Sequence, residues 1–241
     1  QWTGLASALG QHARVDLLDP QPGLPDLVFT ANAAVVRGRT ALLARFHHPE
    51  RQGEEPHYEA WLRSAGFVVL CPPRDLAFEG AGDALFDRGE DLLWFGYGHR
   101  SQEEARHVLA TVFGVEVQPL RLTDPRFYHL DTCFCPLEGG FLLYYPPAFD
   151  EEAVMAIEAR VPARRRLAVS EEDALNFACN AVNVGREVVL NRATPALRAW
   201  LEQRGLRVTE TDVSEFLKAG GATKCLTLRL DEPEVARPAS D

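Results

Sequence analysis

Five short polar signatures recur along the chain, and each opens a hydrophobic run with strand character. They are Pro25–Asn32, Phe78–Phe86, Phe127–Phe134, Phe177–Val184 and Ala219–Thr227. Each carries an acid, an amide, a histidine or a cysteine just ahead of its apolar stretch. Copies of one supersecondary unit arranged around an axis bring equivalent positions together. Residues as distant in sequence as Asp26 and Cys225 can then face one pocket, which is the expectation for an enzyme.

Four signatures lead into a turn and a second strand, with Gly38, Gly89, Gly139-Gly140 and Gly185 marking the turns. Glycine between two β-rich runs is a hairpin signal. Helical segments separate the hairpins, over about 54–65, 101–113 and 150–160 and from Thr194-Pro195 to Gly205. Ser101-Gln-Glu-Glu104 reads as an N-cap pattern, and Pro195 suits a first helical turn. Each helix leads into a further short strand, at 67–70, 115–117, 167–169 and 206–208. The opening stretch, Leu5–Ala13 and then Val15–Leu18, reads as the same unit without its leading strand. The pattern is α/β, strand–turn–strand–helix–strand, about five times. Residues 1–230 are expected to form one domain, followed by a Pro- and acid-rich tail over 231–241.

Composition narrows the function. The formal charge of −10 argues against a nucleic-acid backbone as partner and suits a cationic small molecule. No apolar run is long enough to span a membrane, and the start of the chain lacks the features of a secretory signal. The absence of Met at position 1 suggests that residues precede Gln1 in the natural protein. Five cysteines without a disulfide spacing indicate a reducing, cytoplasmic compartment. Cys133 and Cys135 share one face of a strand, but no second ligand pair accompanies them. They read as small buried residues rather than a metal site, as do Cys71 and Cys179.

Cys225 follows Gly220-Gly221, a flexible pair that lets a loop approach a ligand. It is either a buried small residue or a nucleophile. His129 and Asp131 lie on one side of an extended segment, an arrangement suited to acid–base work and to holding a substrate. Glu79 and Asp83 bracket Gly80-Ala81-Gly82. Acids there commonly cap backbone N–H groups, a role that suits Asp83 better, with substrate contact as its alternative. Asp26 and Asn32 carry the same ambiguity. The glycines of residues 80–82 precede a strand and open no helix, so they do not form a nucleotide-binding fingerprint. No cofactor and no metal are implied.

Taken together, the Glu79 stretch, His129-Leu130-Asp131 and Gly220-Gly221 ahead of Cys225 resemble the motifs of the guanidino-group-modifying enzymes of the pentein superfamily. These include arginine deiminases, arginine dihydrolases, dimethylarginine dimethylaminohydrolases and amidinotransferases. The resemblance runs over essentially the whole chain in the expected order. It implies a five-bladed α/β propeller of ββαβ-type repeats around a pseudo-fivefold axis. It further implies Cys225 as nucleophile, His129 as acid–base and Glu79 as its partner. Asp26, Asn32, Asp131 and Arg100, with Asp83 as a weaker candidate, are implied to hold the substrate, Arg100 at its α-carboxylate.

One position departs from the deiminases, in which an aspartate ends the first motif and clamps the guanidinium. Asn32 stands here. An amide offers one acceptor and an NH₂ donor, so it can donate to a neutral ureido oxygen. That substitution resembles the dihydrolases, in which a first hydrolysis product is held for a second. An amidinotransferase with an amine acceptor, and a catalytically silent pentein that only binds, are the competing readings. The sequence leaves assembly into a homo-oligomer open.

Overall fold

The computed structural model describes residues 1–232; most of the expected tail lies outside the described residues. Helix α1 (Trp2–Gly10) comes first. Four three-stranded sheets follow, all of one build. In the first, β1 (Ala34–Arg37) pairs antiparallel with β2 (Thr40–Leu43), and β3 (Val68–Leu70) returns parallel to β2 after α2 (Pro49–Gln52) and α3 (Glu55–Ser64). The second holds β4 (Ala84–Phe86), β5 (Leu92–Tyr97) and, after α4 (Ala105–Phe113), β6 (Glu116–Arg121). The third holds β7 (Phe134–Leu137), β8 (Phe141–Tyr144) and, after α5 (Glu151–Arg160), β9 (Arg166–Ala168). Helix α6 (Glu171–Leu175) precedes the fourth, made of β10 (Val182–Val184), β11 (Glu187–Leu190) and β12 (Arg207–Glu210) around α7 (Pro195–Glu202). The short α8 (Ser214–Leu217) leads into the fifth signature.

Local chemistry accounts for most of these boundaries. The hairpin turns at Gly38, Gly139-Gly140 and Gly185 use positive φ, which glycine adopts without strain. Asp150 and Thr194 cap α5 and α7 by accepting the N–H groups of Ala153 and Leu197. Each crossover helix then buries a short apolar stripe, Tyr58 and Leu62 on α3, Leu109 on α4, Ile157 on α5, and Leu197 and Leu201 on α7. Burying such a side chain contributes roughly 1.5–3 kcal/mol.

Three expectations are corrected. Helix α4 begins at Ala105, not near residue 101, because Ser101 is recruited elsewhere: its hydroxyl donates to Asp83 at 2.6 Å and accepts from the Glu79 N–H at 3.0 Å. Val15–Leu18 forms no strand, and neither does the run after the fifth signature. In each sheet the second strand pairs with both neighbours, and no described residue supplies that middle strand between these two segments. Cys71 is exposed, since it follows the outer edge strand β3, whereas Cys133, Cys135 and Cys179 are buried as expected.

The signatures themselves form turns, three of them one turn of 3-10 helix just ahead of a strand, at Thr30–Ala33, Gly80–Gly82 and Leu130–Thr132. They are tied into a closed ring by five hydrogen bonds. Asn32 Nδ2 donates to Glu79 O (3.3 Å), and the Leu130 N–H to Asp83 Oδ1 (3.0 Å). Asn180 Nδ2 donates to Asp131 O (3.0 Å), the Cys225 N–H to Asn180 Oδ1 (3.0 Å), and the Ala31 N–H to Cys225 O (3.1 Å). Asn180, fully buried, serves two of the five. Leaving its buried partners unpaired costs about 1–3 kcal/mol each. Asn180→Ala is therefore expected to lower the unfolding free energy by roughly 3 kcal/mol in urea titration; an unchanged midpoint would show that the ring closes without it.

Candidate active site

Inside this ring lies a cavity of about 380 Å³ whose wall includes Asp26, Asn32, Arg51, Arg100, His129 and Cys225. The first and last signatures thus face one another across it, as the repeat predicts. Cys225 is 3% exposed. Its Sγ lies 3.0 Å from Asn180 Nδ2 and 3.6 Å from both carboxylate oxygens of Asp131. Burial, and then the Asp131 charge, push the thiol well above its ordinary range. Burial likewise raises Asp131, while Lys224 and His129 pull it back.

His129 Nε2 stands 2.6 Å from Glu79 Oε2, and both residues are buried. Burial alone would raise Glu79, but the His129 hydrogen bond and charge, with Arg100 and Arg51, hold it down at about 2. Burial alone would lower His129, but Asp83 and Glu79 together raise it. The pair is therefore a charged carboxylate against a histidine biased toward its proton-bearing form. Such a histidine can give a proton to a leaving group and then recover one from water.

Asp83 lies beneath the cavity rather than in its wall. It receives the Leu130 N–H and the Ser101 hydroxyl, the cap role expected for it, and burial lifts it to about 7. Asp26 is half-buried in the cavity wall. Arg100 reaches to 3.7 Å from Glu79 and lies over the Tyr128 ring at 4.6 Å, a cation–π contact at the cavity wall.

Sequence reasoning missed Arg51. Its guanidinium makes a two-point pair with Glu54 (2.9 and 2.7 Å), donates to Asn32 Oδ1 (2.8 Å) and to Asp26 O (3.1 Å). Because arginine only donates, it fixes the amide of Asn32 with Oδ1 toward itself and the NH₂ toward Glu79 O. The available signal was the Arg51/Glu54 spacing on one helical turn, which reads equally well as a surface ion pair. Sequence reasoning also passed over Tyr128. Its hydroxyl donates to Gly220 O at 3.0 Å, strapping the loop that carries Cys225. A Cβ on Gly220 would strike that hydroxyl, and one on Gly221 would strike the Phe29 ring.

The family model described as N,N dimethylarginine dimethylhydrolase, eukaryotic, matches residues 3–231. The chain belongs to this family. It is 54% identical over 233 residues to the bifunctional arginine dihydrolase/ornithine cyclodeaminase ArgZ of Synechocystis sp., covering 97% of this chain and 33% of that protein. The chain thus spans about a third of the length of that relative. It is 41% identical over 216 residues to the N(G),N(G)-dimethylarginine dimethylaminohydrolase of Mycobacterium tuberculosis, covering 90% and 70%. A solved N-terminal domain of ArgZ, a Cys-to-Ser variant bound to substrate, matches with a TM-score of 0.95 at 54% identity, covering 96% of this chain and 86% of that one. Among the described residues no group of three or more His, Cys, Asp or Glu could hold a metal ion, and no helix is long and apolar enough to cross a membrane.

The Glu79–His129 pair sets a pH dependence with a definite sign. Glu79 is lowered on folding, so its contribution is present above about 4.5 and is lost as pH falls toward about 2. His129 is raised, so its contribution is present below its unfolded pKa of about 6.5 and is lost as pH rises through the raised value. The stability difference between the native chain and Glu79→Gln should be largest in the weakly acidic range and shrink toward both sides. Urea unfolding across pH measures it; a constant difference would mean that no ion pair forms.

Proposed function

We propose that the chain hydrolyses the guanidino group of arginine or a close arginine derivative, in the manner of an arginine dihydrolase. The observation that carries this reading is one cavity lined by Cys225, by His129 and by an Asn32 amide oriented by Arg51, with the Asp131 carboxylate 3.6 Å from Cys225 and Glu79 paired to His129. A guanidinium is planar, cationic and a poor electrophile. It needs carboxylate acceptors in its plane and a strong nucleophile at its central carbon. Asp131 and Asp26 are assigned the first task and Cys225 the second. Arg100 at the cavity wall is assigned the α-carboxylate.

The arriving cation lowers the thiol pKa that burial and Asp131 had raised, so Cys225 ionises when substrate is present. Thiolate attack forms a C–S bond to the guanidino carbon. The C–N bond then breaks, and His129 supplies the proton with which ammonia leaves. Water, deprotonated by His129, attacks the thiouronium; the C–S bond breaks and citrulline forms. Asn32 donates to the neutral ureido oxygen and keeps citrulline in place. A second attack expels a second ammonia and leaves a thiocarbamate. Its hydrolysis gives an N-carboxy product that decarboxylates to ornithine. Glu79 holds His129 in place and balances its charge throughout.

The ring of five signatures also supports reading the fold as a five-bladed propeller over residues 1–230 around one site. In that reading the fifth sheet takes a middle strand between Val15–Leu18 and Leu226–Leu230. We read the protein as cytoplasmic, from its unpaired cysteines, and its partner as a cationic small molecule.

Ammonia release from L-arginine, with citrulline and ornithine resolved by mass spectrometry, tests the reading. Two ammonia and one ornithine per arginine are expected, and Cys225→Ser should abolish turnover while remaining folded. Asn32→Asp should shift the products toward one ammonia and free citrulline. Turnover of dimethylarginine in preference to arginine would replace the dihydrolase assignment, and near-normal rates in Cys225→Ser would overturn the mechanism.

A further inference from the structure

Two glycines flank Ala81 in the turn that follows Glu79, and they are glycine for different reasons. Gly80 holds φ at +61°, and a Cβ there would come within 2.7 to 2.9 Å of the Asn32 and Ala34 main chain. Backbone conformation and backbone neighbours both forbid a side chain at that position. Gly82 is not among the glycines at positive φ. It closes the 3-10 turn Gly80–Gly82, a conformation open to any L-residue, where alanine would lose less entropy on folding. What denies Gly82 a side chain is a neighbouring side chain. A Cβ there would strike Asn32 Nδ2, yet would rest 3.4 Å from His129 Cγ, an ordinary contact.

The amide it would strike is not free to swing aside. Asn32 is 2% exposed, Arg51 donates to its Oδ1 at 2.8 Å, and its Nδ2 donates to Glu79 O at 3.3 Å. Arg51 is itself fixed by its two-point pair with Glu54, which also accepts the Tyr58 hydroxyl at 3.1 Å. Moving the amide forfeits at least one of its two bonds in a covered site. The amide therefore has a built seat: Arg51 on its oxygen, Glu79 O on its nitrogen, and the bare Cα of Gly82 against the NH₂. The reacting groups are tied elsewhere, Cys225 to Asn180 and Asp131, and His129 to the Glu79 carboxylate. A methyl group on Gly82 thus acts on the amide and leaves nucleophile and histidine in place.

We propose that Gly82 is a positioning residue that sets the product: by lacking a side chain it reserves the seat of the Asn32 amide, and so decides whether arginine is carried through one hydrolysis or two. The proposal rests on the dihydrolase reading above, in which that amide holds the neutral ureido intermediate. It separates the two rounds by the groups they need. The first attack uses the nucleophile, the carboxylate beside it and the histidine, all independent of Gly82. Retention of citrulline uses the amide, which keeps its place only while residue 82 has no Cβ.

The test compares the full chain with Gly82→Ala, Asn32→Ala and the double variant, by crystal structure and by products from L-arginine resolved by mass spectrometry. Gly82→Ala is expected to fold with the Asn32 amide displaced from Glu79 O. Its ornithine-to-citrulline ratio should fall roughly tenfold, as for one lost hydrogen bond to the ureido group, while arginine consumption changes less than about threefold. Adding Gly82→Ala to Asn32→Ala should leave the ratio where Asn32→Ala puts it, because the obstacle is gone. A mere packing defect would slow both rounds and leave the ratio alone, and that result overturns the proposal. So does an Asn32 amide unmoved in the Gly82→Ala crystals. If Gly82→Ala fails to fold, the double variant decides: its folding upholds the clash, and its failure overturns it. A native chain that releases citrulline alone, with the amide displaced in Gly82→Ala, would count against the dihydrolase reading and not against the seat.

Discussion

The closed ring of five hydrogen bonds between the signatures sets the geometry of everything inside it. Each sheet is small, and its strands carry none of the site's side chains, which stand on the segments between them. What converts four hairpins and two flanking segments into a pocket is that every signature turn hands a donor or an acceptor to the next. The bonds use polar groups with no other outlet: backbone N–H groups at the ends of 3-10 turns, and the buried amides Asn32 and Asn180. Buried polar groups must be paired, so a ring of this kind either closes completely or is strongly unfavourable. Residues 26 and 225 are held opposite one another by that condition, which includes the direct bond from the Ala31 N–H to Cys225 O between their two turns.

Electrostatics inside the ring divides labour among acids that look alike in sequence. Glu79 stays ionised at about 2 because His129, Arg100 and Arg51 surround it. Asp83, four residues on, is lifted to about 7 because burial dominates and its partners are a hydroxyl and an amide. Asp131 is raised by burial as well, and Lys224 and His129 pull it back. Carboxylates in the same kind of turn thus differ in the charge they offer. Only their neighbours decide which one steadies a histidine, which one props up the backbone and which one meets a guanidinium.

Most strands, turns and helices were legible because each was signalled locally, by glycine at positive φ, a capping Asp or Thr, or an apolar stripe. The order of acid, glutamate, His-x-Asp and cysteine was legible because the repeat itself spaces them. Two kinds of feature were not. Ser101 carries a proper cap pattern, yet tertiary partners claimed its hydroxyl and the helix starts four residues later. Arg51 carries no motif at all. An arginine on a short polar helix reads as solvated. Its importance comes from burial against Asn32 and Asp26, far away in sequence, which no local pattern encodes.

The contact of Tyr128 and Phe29 with the paired glycines reaches beyond the present chemistry. The two rings leave no room for a side chain on Gly220 or Gly221, and the Tyr128 hydroxyl is itself bonded to that loop. Ring and glycine can therefore change only together, since a larger residue on the loop requires a smaller one opposite. Single-residue drift in this corner leads only to clashes or holes. A designer seeking a bulkier residue on the loop beside Cys225 must therefore alter both partners of the contact at once.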